Sequence, residues 1–290
     1  MSNKVLVVGA NGMLGGSLFR YLSKLPGYEV LGTVRSSAAK SALSQQGFSN
    51  TVFGVDVTDL QSISSIIGNF RPHYVLNCVG IIKQLDASKA PIPSITINSL
   101  LPHQLAELCD TCDARLVHFS TDCVFLGRSG LYKESDNPDA ADLYGRSKLL
   151  GEVDYGRHLT LRTSIIGHEL GKSLSLVDWF LSQNSPIKGY RKAIFSGMPT
   201  ICVAEFLNDH VFGKELSGLY HLSVEPIDKN RLLQLINNAY SIGIEIIPFD
   251  DFVIDRSLNS DALRAVTGFK PLPWPQLINK MREEYLEYFA

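Results

Sequence analysis

A glycine-rich turn after an apolar run constrains the fold of this chain more than any other feature. The apolar run ends at Val8, and the turn reads Gly9-Ala10-Asn11-Gly12-Met13-Leu14-Gly15. Glycines at this spacing, between a strand and a helix, are typical of dinucleotide-binding folds, because they permit a tight turn and a close approach of the pyrophosphate. The next helix directs free N–H groups and its positive dipole end at that anion. A turn without a ligand is the alternative. We predict cofactor contacts from Gly9, Asn11, Gly12, Met13, Leu14 and Gly15.

The first half of the chain alternates strand-like apolar runs with helical patterns. This alternation predicts an α/β fold with a doubly wound parallel sheet of the Rossmann type, covered by helices on both faces. Right-handed crossovers then bring the ligand to the edge formed by the carboxyl ends of the strands. The predicted strands are Lys4–Val8, Val30–Val34, Thr51–Val55, Tyr74–Cys78, Leu116–Ser120 and Leu159–Thr163, and the predicted helices are Met13–Leu25, Ser37–Gln46, Leu60–Phe70, Ile95–Cys112 and Asp142–Gly156.

The alternation loosens after Thr163, which indicates a second, smaller region. We predict that residues 1–167 form the dinucleotide-binding domain with the catalytic residues. Residues 168–290 would mainly bind substrate and would partly pack back onto the first domain, because no polar linker separates the halves. In this second half we predict helices at Ser173–Ser182, Val203–Phe212, Lys229–Tyr240 and Pro275–Tyr288, and strands at Ile194–Phe195, Gly218–Leu222 and Glu245–Pro248.

Composition and charge limit the partners of the chain. Its 290 residues carry a net charge of −2, with 45% hydrophobic and 19% charged residues, as is ordinary for a soluble globular enzyme. The balance of charge and the lack of a long basic run argue against nucleic acid. No stretch of 18 apolar residues and no secretory cleavage pattern occurs, so we expect a cytoplasmic protein without a membrane span. Cys109 and Cys112 have no further ligands at suitable spacing, so we predict no metal site.

The residue at the end of the second predicted strand indicates whether the site binds NAD or NADP. A site specific for NAD usually has an acidic residue there, which binds the ribose hydroxyls. This chain has no acid at that point and has Arg35 instead. A guanidinium can bind a 2′-phosphate through two hydrogen bonds, so NADP(H) is favoured and NAD(H) stays possible. A solvated Arg35 is the alternative. Further cofactor contacts are predicted from Asp56 and Val57 near the adenine and from Cys78, Val79 and Gly80 near the ribose.

Tyr144 and Lys148 form a Tyr-x-x-x-Lys motif downstream of Thr121, a hydroxyl residue at a predicted strand end. When hydride reaches the carbon of a ketone, the developing alkoxide needs a proton. Tyrosine has a pKa of about 10. A lysine four residues later lies on the same helix face, and its charge, added to that of an oxidised nicotinamide, lowers this pKa. We therefore predict Thr121, Tyr144 and Lys148 as catalytic residues, with Tyr144 and Lys148 also contacting the cofactor.

With its other motifs, the chain resembles an extended short-chain dehydrogenase/reductase, most similar to the dTDP-4-dehydrorhamnose reductase family. The resemblance covers nearly the whole chain. It implies NAD(P)H-dependent reduction of the 4-keto group of a nucleotide-linked 6-deoxyhexose, carried by dTDP or UDP, in the synthesis of surface polysaccharide precursors. It also implies a cofactor role for Asn98. The further motifs are Asn77-Cys78-Val79-Gly80, Asn98, Ser120-Thr121-Asp122, residues 130–136, the segment from Tyr144 to Glu152, Leu161-Arg162-Thr163-Ser164 and Gly197-Met198-Pro199-Thr200.

Two segments depart from the family pattern. The family often has an aromatic residue where this chain has Cys123, and it commonly has Thr-Ser-Trp-x-Tyr where this chain reads Thr163-Ser164-Ile165-Ile166-Gly167. Both segments follow strand ends near the expected sugar, so they leave the reaction type intact and put the sugar in question. The basic and aromatic stretch 188–192 suits a diphosphate and a base, or a solvated loop. Predicted substrate contacts are Lys83, Asp122, Cys123, Ser164, Ile165 and Arg191.

Two other functions stay open. One is a nucleotide-sugar epimerase or dehydratase on the same fold. A dehydratase would usually add an acid pair beside the catalytic hydroxyl, where this chain has only Asp122, and an epimerase tends to hold NAD tightly. The other is a non-catalytic regulatory subunit, since the family resembles that of methionine adenosyltransferase. The retained Thr121, Tyr144 and Lys148 argue against it. A homodimer also stays open.

Overall fold

The alternating apolar runs of the first half form the strands of one parallel sheet. The computed structural model describes residues 2–82, 90–171 and 175–290. The strands are β1 (Asn3–Val8), β2 (Tyr28–Thr33), β3 (Thr51–Val52), β4 (Tyr74–Asn77), β5 (Arg115–Thr121), β6 (Leu159–Thr163), β7 (Ile165–Ile166), β8 (Ile187–Tyr190), β9 (Ala193–Phe195), β10 (Met198–Pro199), β11 (Gly218–His221), β12 (Ile227–Asp228), β13 (Ile246–Phe249) and β14 (Ile254–Asp255).

Seven of these strands make the central sheet, in the order β3-β2-β1-β4-β5-β6-β11. Every neighbouring pair in it is parallel. The strand order reverses between β1 and β4, and doubly wound folds bind their ligands at such a switch point. The predicted α/β fold with a doubly wound parallel sheet is confirmed.

Helices cover both faces of this sheet. In the parts of the chain that the structure describes, none of them combines the length and the apolar character needed to cross a bilayer. The helices are α1 (Met13–Lys24), α2 (Ser37–Gln45), α3 (Leu60–Phe70), α4 (Pro91–Ser94), α5 (Leu101–Asp110), α6 (Leu143–Leu150), α7 (Leu176–Leu181), α8 (Thr200–His210), α9 (Lys229–Tyr240), α10 (Asp261–Thr267) and α11 (Trp274–Tyr288), with a π-helical turn at Ile95–Leu100 and a 3-10 turn at Asp122–Val124.

Alternate side chains of β1 enter two hydrophobic cores, one on each face of the sheet. Val5 and Val7 belong to the core that includes residues of α1, α8, α9 and α11. Leu6 and Val8 belong to the core that includes residues of α3 and α5. A strand buried on both faces reads as a continuous apolar run, and this is why the sequence alone located β1.

The C-terminal region is joined to the sheet by strand pairing. β11 extends the sheet beside β6, and β7 pairs with β10. Helix α8 packs against α1, and α11 packs against both α8 and α9. Two small sheets, β13-β8 and β12-β9-β14, complete the region. The division at residue 167 stays a prediction, although the last strand of the central sheet comes from beyond it.

Helix α6 is shorter than the predicted span Asp142–Gly156. The Asp142 side chain caps it by accepting a hydrogen bond from the N–H of Gly145 at 2.8 Å, and the helix ends at Leu150. A Cβ at Gly151 would lie 2.0 Å from the carbonyl oxygen of Asn98. Glycine at the helix end therefore lets α6 approach the backbone of the π-helical turn.

The predicted helix Ile95–Cys112 contains the π-helical turn, follows directly on α4 and ends at Asp110. Pro102 has no N–H to donate to the carbonyl of Asn98, four residues earlier. A wider turn accommodates this loss. In it the N–H of Leu101 bonds to the carbonyl of Thr96, five residues earlier, and not to the carbonyl four residues earlier as in an α-helix. The turn buries the Asn98 side chain, which is 1% exposed.

The remaining elements differ from prediction mainly at their ends. Strand β3 ends at Val52, and Gly54 just beyond it adopts a φ of +77°. Helix α7 begins at Leu176, inside the predicted Ser173–Ser182, and residues 173–174 of that span lie outside the described residues. Helices α3 and α9 have the predicted bounds. Strands β7, β8, β10, β12 and β14 and helices α4 and α10 were not predicted, because each is short and lacks a clear period.

The contact at Gly151 yields a stability prediction. Gly151→Ala forces the end of α6 away from the Asn98 carbonyl, so we expect the free energy of unfolding to fall by about 1–3 kcal/mol, as for other overpacked sites. Gly68→Ala is the matched control, because this exposed glycine lies inside α3 and a Cβ there meets nothing within 4 Å. The control should gain about 0.5–1 kcal/mol. Urea unfolding at unchanged m-value measures both. Equal changes in the free energy of unfolding for Gly151→Ala and Gly68→Ala would contradict the packing argument.

Candidate active site

A cleft of about 480 Å³ opens along the carboxyl ends of β1, β4, β5 and β6. It lies at the switch point of the sheet, where the fold predicts a ligand. Its lining includes most of the predicted cofactor residues and all three predicted catalytic residues, namely Gly12, Met13, Leu14, Cys78, Val79, Gly80, Thr121, Tyr144 and Lys148.

The glycine turn closes tightly at one end of this cleft. Gly9 has a φ of +88°, and a Cβ at Gly15 would lie 2.1 Å from the carbonyl oxygen of Gly9. The exposed Gly12 is the N-cap of α1, and no side chain caps this helix. Met13 and Leu14, the first residues of α1, line the cleft. Uncapped N–H groups of a 12-residue helix at a cleft fit a bound pyrophosphate.

The residues predicted to reach the adenine end lie beyond the cleft lining. Arg35 is exposed directly after β2, and Asp56 is exposed after β3. The Asp56 carboxylate accepts hydrogen bonds from the N–H and the hydroxyl of Thr58, at 2.9 and 2.7 Å. These bonds lower the pKa of Asp56, and the charge of Arg35 nearby lowers it further. Val57 packs partly against the second core. Arg35 is thus at a strand end with its guanidinium open to solvent.

Thr121 and Tyr144 come together from two elements, since Thr121 ends β5 and Tyr144 lies in the first turn of α6. Burial raises the pKa of Tyr144, and a hydrogen bond with Thr121 opposes this rise. The phenol therefore stays protonated at neutral pH. The Thr121 hydroxyl also accepts a hydrogen bond from the N–H of Cys123 and donates to the carboxylate of Asp122, both at 3.1 Å. This arrangement can present a proton donor and a hydroxyl to one oxygen atom.

Lys148 lies one turn after Tyr144 and is 6% exposed. Its Nζ donates to the carbonyl of Phe119 at 2.6 Å and lies 3.5 Å from Nε2 of His118. Burial lowers the pKa of Lys148 to about 8, and the charge of Glu152 opposes this shift. Strand β5 thus holds the lysine at the sheet edge, and its pKa lies closer to neutrality than that of an exposed lysine.

The buried side chain of Asn98 connects two elements of the site. Its Oδ1 accepts from the N–H of Ile81 at 2.8 Å, and its Nδ2 donates to the carbonyl of Ile81 at 3.1 Å and to the hydroxyl of Ser147 at 3.2 Å. It thus ties the loop after β4 to helix α6. The cofactor role of Asn98 stays a prediction: its side chain lies outside the cleft lining and bonds Ile81, which belongs to that lining.

A side cavity of about 370 Å³ adjoins the cleft. Aromatic rings and three cations line it: Trp179, Tyr190, Phe252, Lys188, Lys229 and Arg256. The cleft and the side cavity share a border, because the same six residues line both, namely Asp122, Cys123, Ser164, Leu176, Phe195 and Lys229. A ligand that extends from the side cavity would reach the cleft beside Thr121.

Lys229 was not singled out from the sequence, yet it is the cation at this border. It begins α9, and its Nζ lies 4.2 Å from the ring centroid of Phe195. Burial lowers the pKa of Lys229 to about 8, and Asp122 opposes the shift. Burial likewise raises the pKa of Asp122, opposed by Arg256, Thr121 and Lys229. Lys229 and Arg256 lie far along the chain from the catalytic motifs, so no local pattern could find them.

The predicted substrate residues separate into three groups. Asp122, Cys123 and Ser164 lie at the border, and Ile165 lines the cleft. Arg191 is exposed and forms an ion pair with Asp250, with Nε at 2.8 Å from Oδ1, outside the lining of both cavities. Its neighbours Lys188 and Tyr190 are the members of that stretch that line the side cavity. Lys83 lies outside the described residues.

Comparison with known families identifies the chain. The family described as RmlD substrate binding domain matches residues 3–227. The chain belongs to this family. It is similar to a probable low-salt glycan biosynthesis reductase, Agl14, of Haloferax volcanii, at 33% identity over 50% of this chain and 46% of that protein. It is also similar to the dTDP-4-dehydrorhamnose reductase of Aggregatibacter actinomycetemcomitans, at 28% identity over 77% of this chain and 74% of that protein. The chain thus spans about half the length of the first relative.

The fold is similar to that of a solved reductase. The dTDP-4-dehydrorhamnose reductase from Bacillus anthracis, in complex with NADP, aligns with a TM-score of 0.79 at 21% identity, covering 98% of this chain and 99% of that chain. The match extends beyond the end of the RmlD family segment at residue 227. The C-terminal region therefore shares the architecture of that enzyme.

Proposed function

We propose that this RmlD family member is an NAD(P)H-dependent reductase of the 4-keto group of a nucleotide-linked 6-deoxyhexose, carried by dTDP or UDP, in the synthesis of surface polysaccharide precursors. One observation carries the proposal. Thr121, Tyr144 and Lys148 line one cleft, and beside Thr121 this cleft meets a cavity lined by cations and aromatic rings. The named activities of the two relatives, a glycan biosynthesis reductase and a dTDP-4-dehydrorhamnose reductase, support it.

In the proposed mechanism a reduced nicotinamide cofactor, when bound, would supply a hydride to the carbonyl carbon. Tyr144 gives its phenolic proton to the carbonyl oxygen, so that the phenolic O–H bond and the carbonyl π bond break while the alcohol O–H bond forms. Its buried, protonated state suits this role. Thr121 hydrogen-bonds the same oxygen and orients it. Lys148, one helical turn away, stabilises the tyrosinate that remains through its positive charge.

NADP(H) is the favoured cofactor. The uncapped start of α1 would bind the pyrophosphate through backbone N–H groups. Arg35, exposed at the end of β2, would pair with a 2′-phosphate. The solved relative that contains NADP supports this choice. NAD(H) stays possible, because the pyrophosphate site does not discriminate between the two.

The side cavity would bind the nucleotide diphosphate. Lys188, Lys229 and Arg256 offer positive charge to the phosphates. Aromatic rings such as Trp179 and Tyr190 can stack on a base. The sugar would then lie across the border, with its 4-keto group next to Thr121 and Tyr144. A non-catalytic subunit would not need Thr121, Tyr144 and Lys148 in a cleft that adjoins a cation-lined cavity. A cytoplasmic location and a homodimer stay predictions from the sequence.

Tyr144→Phe tests the reaction. Removing the proton donor should lower kcat by about 10²–10⁴-fold, the usual range for losing a positioned acid. NADPH affinity should stay within twofold or so, because the pyrophosphate contacts lie at the glycine turn. The assay is NADPH oxidation with a panel of nucleotide 4-keto sugars. Tyr155→Phe is the matched control, because this tyrosine is 48% exposed and hydrogen-bonds His103 away from the cleft. A near-normal kcat for Tyr144→Phe would remove this residue from the mechanism.

Arg35→Ala tests the choice of cofactor. Losing a charged hydrogen-bonding group should weaken NADPH binding by about 1.5–3 kcal/mol and leave NADH binding nearly unchanged. NADH serves as the control ligand, because it lacks only the 2′-phosphate. Isothermal titration with both dinucleotides measures the difference. Equal losses would mean that Arg35 does not bind the phosphate.

The small side chains at the border predict the sugar. Cys123 lies at the border and Ile165 lines the cleft, and at both positions the family often has an aromatic residue. The smaller side chains leave more room for the sugar and less surface for stacking. We expect a higher kcat/KM for a UDP-linked 2-acetamido-2,6-dideoxy-4-hexulose than for dTDP-4-dehydrorhamnose, by about 1–3 kcal/mol.

Cys123→Phe provides the control for this sugar prediction. Refilling the border should reduce kcat/KM for the acetamido sugar more than for dTDP-4-dehydrorhamnose. Comparable or better efficiency of the unmodified protein with dTDP-4-dehydrorhamnose would reject the acetamido preference and leave the 4-keto reductase proposal intact.

A further inference from the structure

A buried hydrogen-bond chain runs from the backbone after β4 to the amino group of Lys148. The N–H of Val79 donates to Oδ1 of Asn77 at 3.2 Å. Nδ2 of Asn77 lies 3.2 Å from Nδ1 of His118, and Nε2 of His118 lies 3.5 Å from Nζ of Lys148. Asn77 and His118 are 1% and 0% exposed, so their hydrogen bonds are made inside the protein. The predicted reaction uses Lys148, but it assigns no role to the two residues behind it.

The backbone end of this chain fixes the direction of every hydrogen bond in it. A peptide N–H can only donate, so Oδ1 of Asn77 is the acceptor and its Nδ2 faces His118 as a donor. Nδ1 of His118 must then accept, which leaves the proton of the neutral ring on Nε2. Burial lowers the pKa of His118 well below its ordinary value, and the charge of Lys148 lowers it further, so the ring is neutral. The Nε2–H group therefore points at Lys148.

This donor distinguishes the two charge states of Lys148. A neutral amine accepts from Nε2–H through its lone pair and still donates to the carbonyl of Phe119. An ammonium group has no lone pair, so it would meet Nε2–H donor to donor. We propose that His118, oriented by Asn77, is a positioning residue that disfavours the ammonium form of Lys148 and so sets the pH at which this lysine loses its charge. This inference rests on the role of Lys148 in the proposed function.

Other groups around the lysine act in both directions. Glu152, two residues beyond the end of α6, favours the charged form of Lys148. That carboxylate is itself held by Arg162 of β6 through bonds of 2.8 and 2.7 Å, which weakens its field at the lysine. His103 of α5 contributes positive potential at His118 and so also favours the neutral ring. His118 thus adds a directional contact to the burial that already disfavours charge on Lys148.

Tyr144, one turn before Lys148 on α6, connects the charge of Lys148 to the rate of turnover. A charged Lys148 stabilises the tyrosinate that remains after proton transfer, so loss of that charge at high pH should produce the alkaline limb of the kcat profile. If His118 disfavours the ammonium form, removing its Nε2–H raises the pKa of Lys148. The charge then persists to higher pH, and the alkaline limb moves up.

The test compares His118→Phe with His118→Gln over pH 6 to 10. Phenylalanine removes the donor, so we expect the alkaline limbs of kcat and of NADPH affinity to move up by about one pH unit, the size of one neutral hydrogen bond. Glutamine can accept from Asn77 and donate to Lys148, so it should restore the limb of the unmodified protein. Lys148→Met should abolish the limb. A lower kcat with an unmoved limb in His118→Phe would overturn the proposal.

A second measurement does not depend on activity. Long-range 1H–15N NMR of the histidine-labelled protein, with His118 assigned by its loss in His118→Gln, should report a neutral ring protonated at Nε2 between pH 5 and 9. A ring protonated at Nδ1, or a charged ring, would overturn the proposal whatever the activity of the protein. If no nucleotide sugar is reduced but NADPH binds, the pH profile of binding still tests His118, and only the proposed function fails.

Discussion

The close contact between helix α6 and the π-helical turn holds the proposed site together. The Gly151 backbone lies against the carbonyl of Asn98, and the Asn98 side chain bonds both Ser147 of α6 and Ile81 after β4. Pro102 makes the contact available, because it frees the Asn98 carbonyl from its usual helical donor. One asparagine thus fixes the helix that bears the proposed catalytic tyrosine and lysine against the loop that lines the cleft. The proposed proton transfer would depend on this contact, although the Asn98 side chain itself is buried.

Buried charge at the strand ends is the second constraint on the site. Lys148 and Lys229 both lose water on folding, and burial lowers the pKa of each to about 8. Such groups are stable only where neighbours supply partners. Lys148 has the Phe119 carbonyl, and Lys229 has the Phe195 ring and the field of Asp122. Cations that are poorly hydrated interact strongly with incoming anions, which suits a site proposed to bind a diphosphate and to stabilise a tyrosinate.

The parts of the structure that the sequence predicted are local in the chain. The glycine turn, Tyr144 and Lys148 are set by spacing within one strand-to-helix turn or one helix, so a pattern could reveal them. Lys229 could not be found, because its place at the border depends on how α9 packs against β9, far from the catalytic motifs in sequence. Arg191 was predicted to bind substrate, but the structure pairs it with Asp250, a partner that no local pattern indicates. Helix ends were missed for the same reason.

The border between the cleft and the side cavity explains how one fold can keep its chemistry while its sugar changes. Thr121 and Tyr144 are held by β5 and α6, whereas the side chains of Cys123 and Ser164 follow the strand ends. Substitutions at such positions alter the volume beside the reacting carbon without moving the proton donor. Of the departures of this chain from the family pattern, Cys123 lies at the border and Ile165 lines the cleft, while the residues that would transfer the proton are retained. Side-chain changes at these strand ends can therefore alter the space for the sugar, because the proposed proton donor stands on α6, which the Asn98 side chain holds in place.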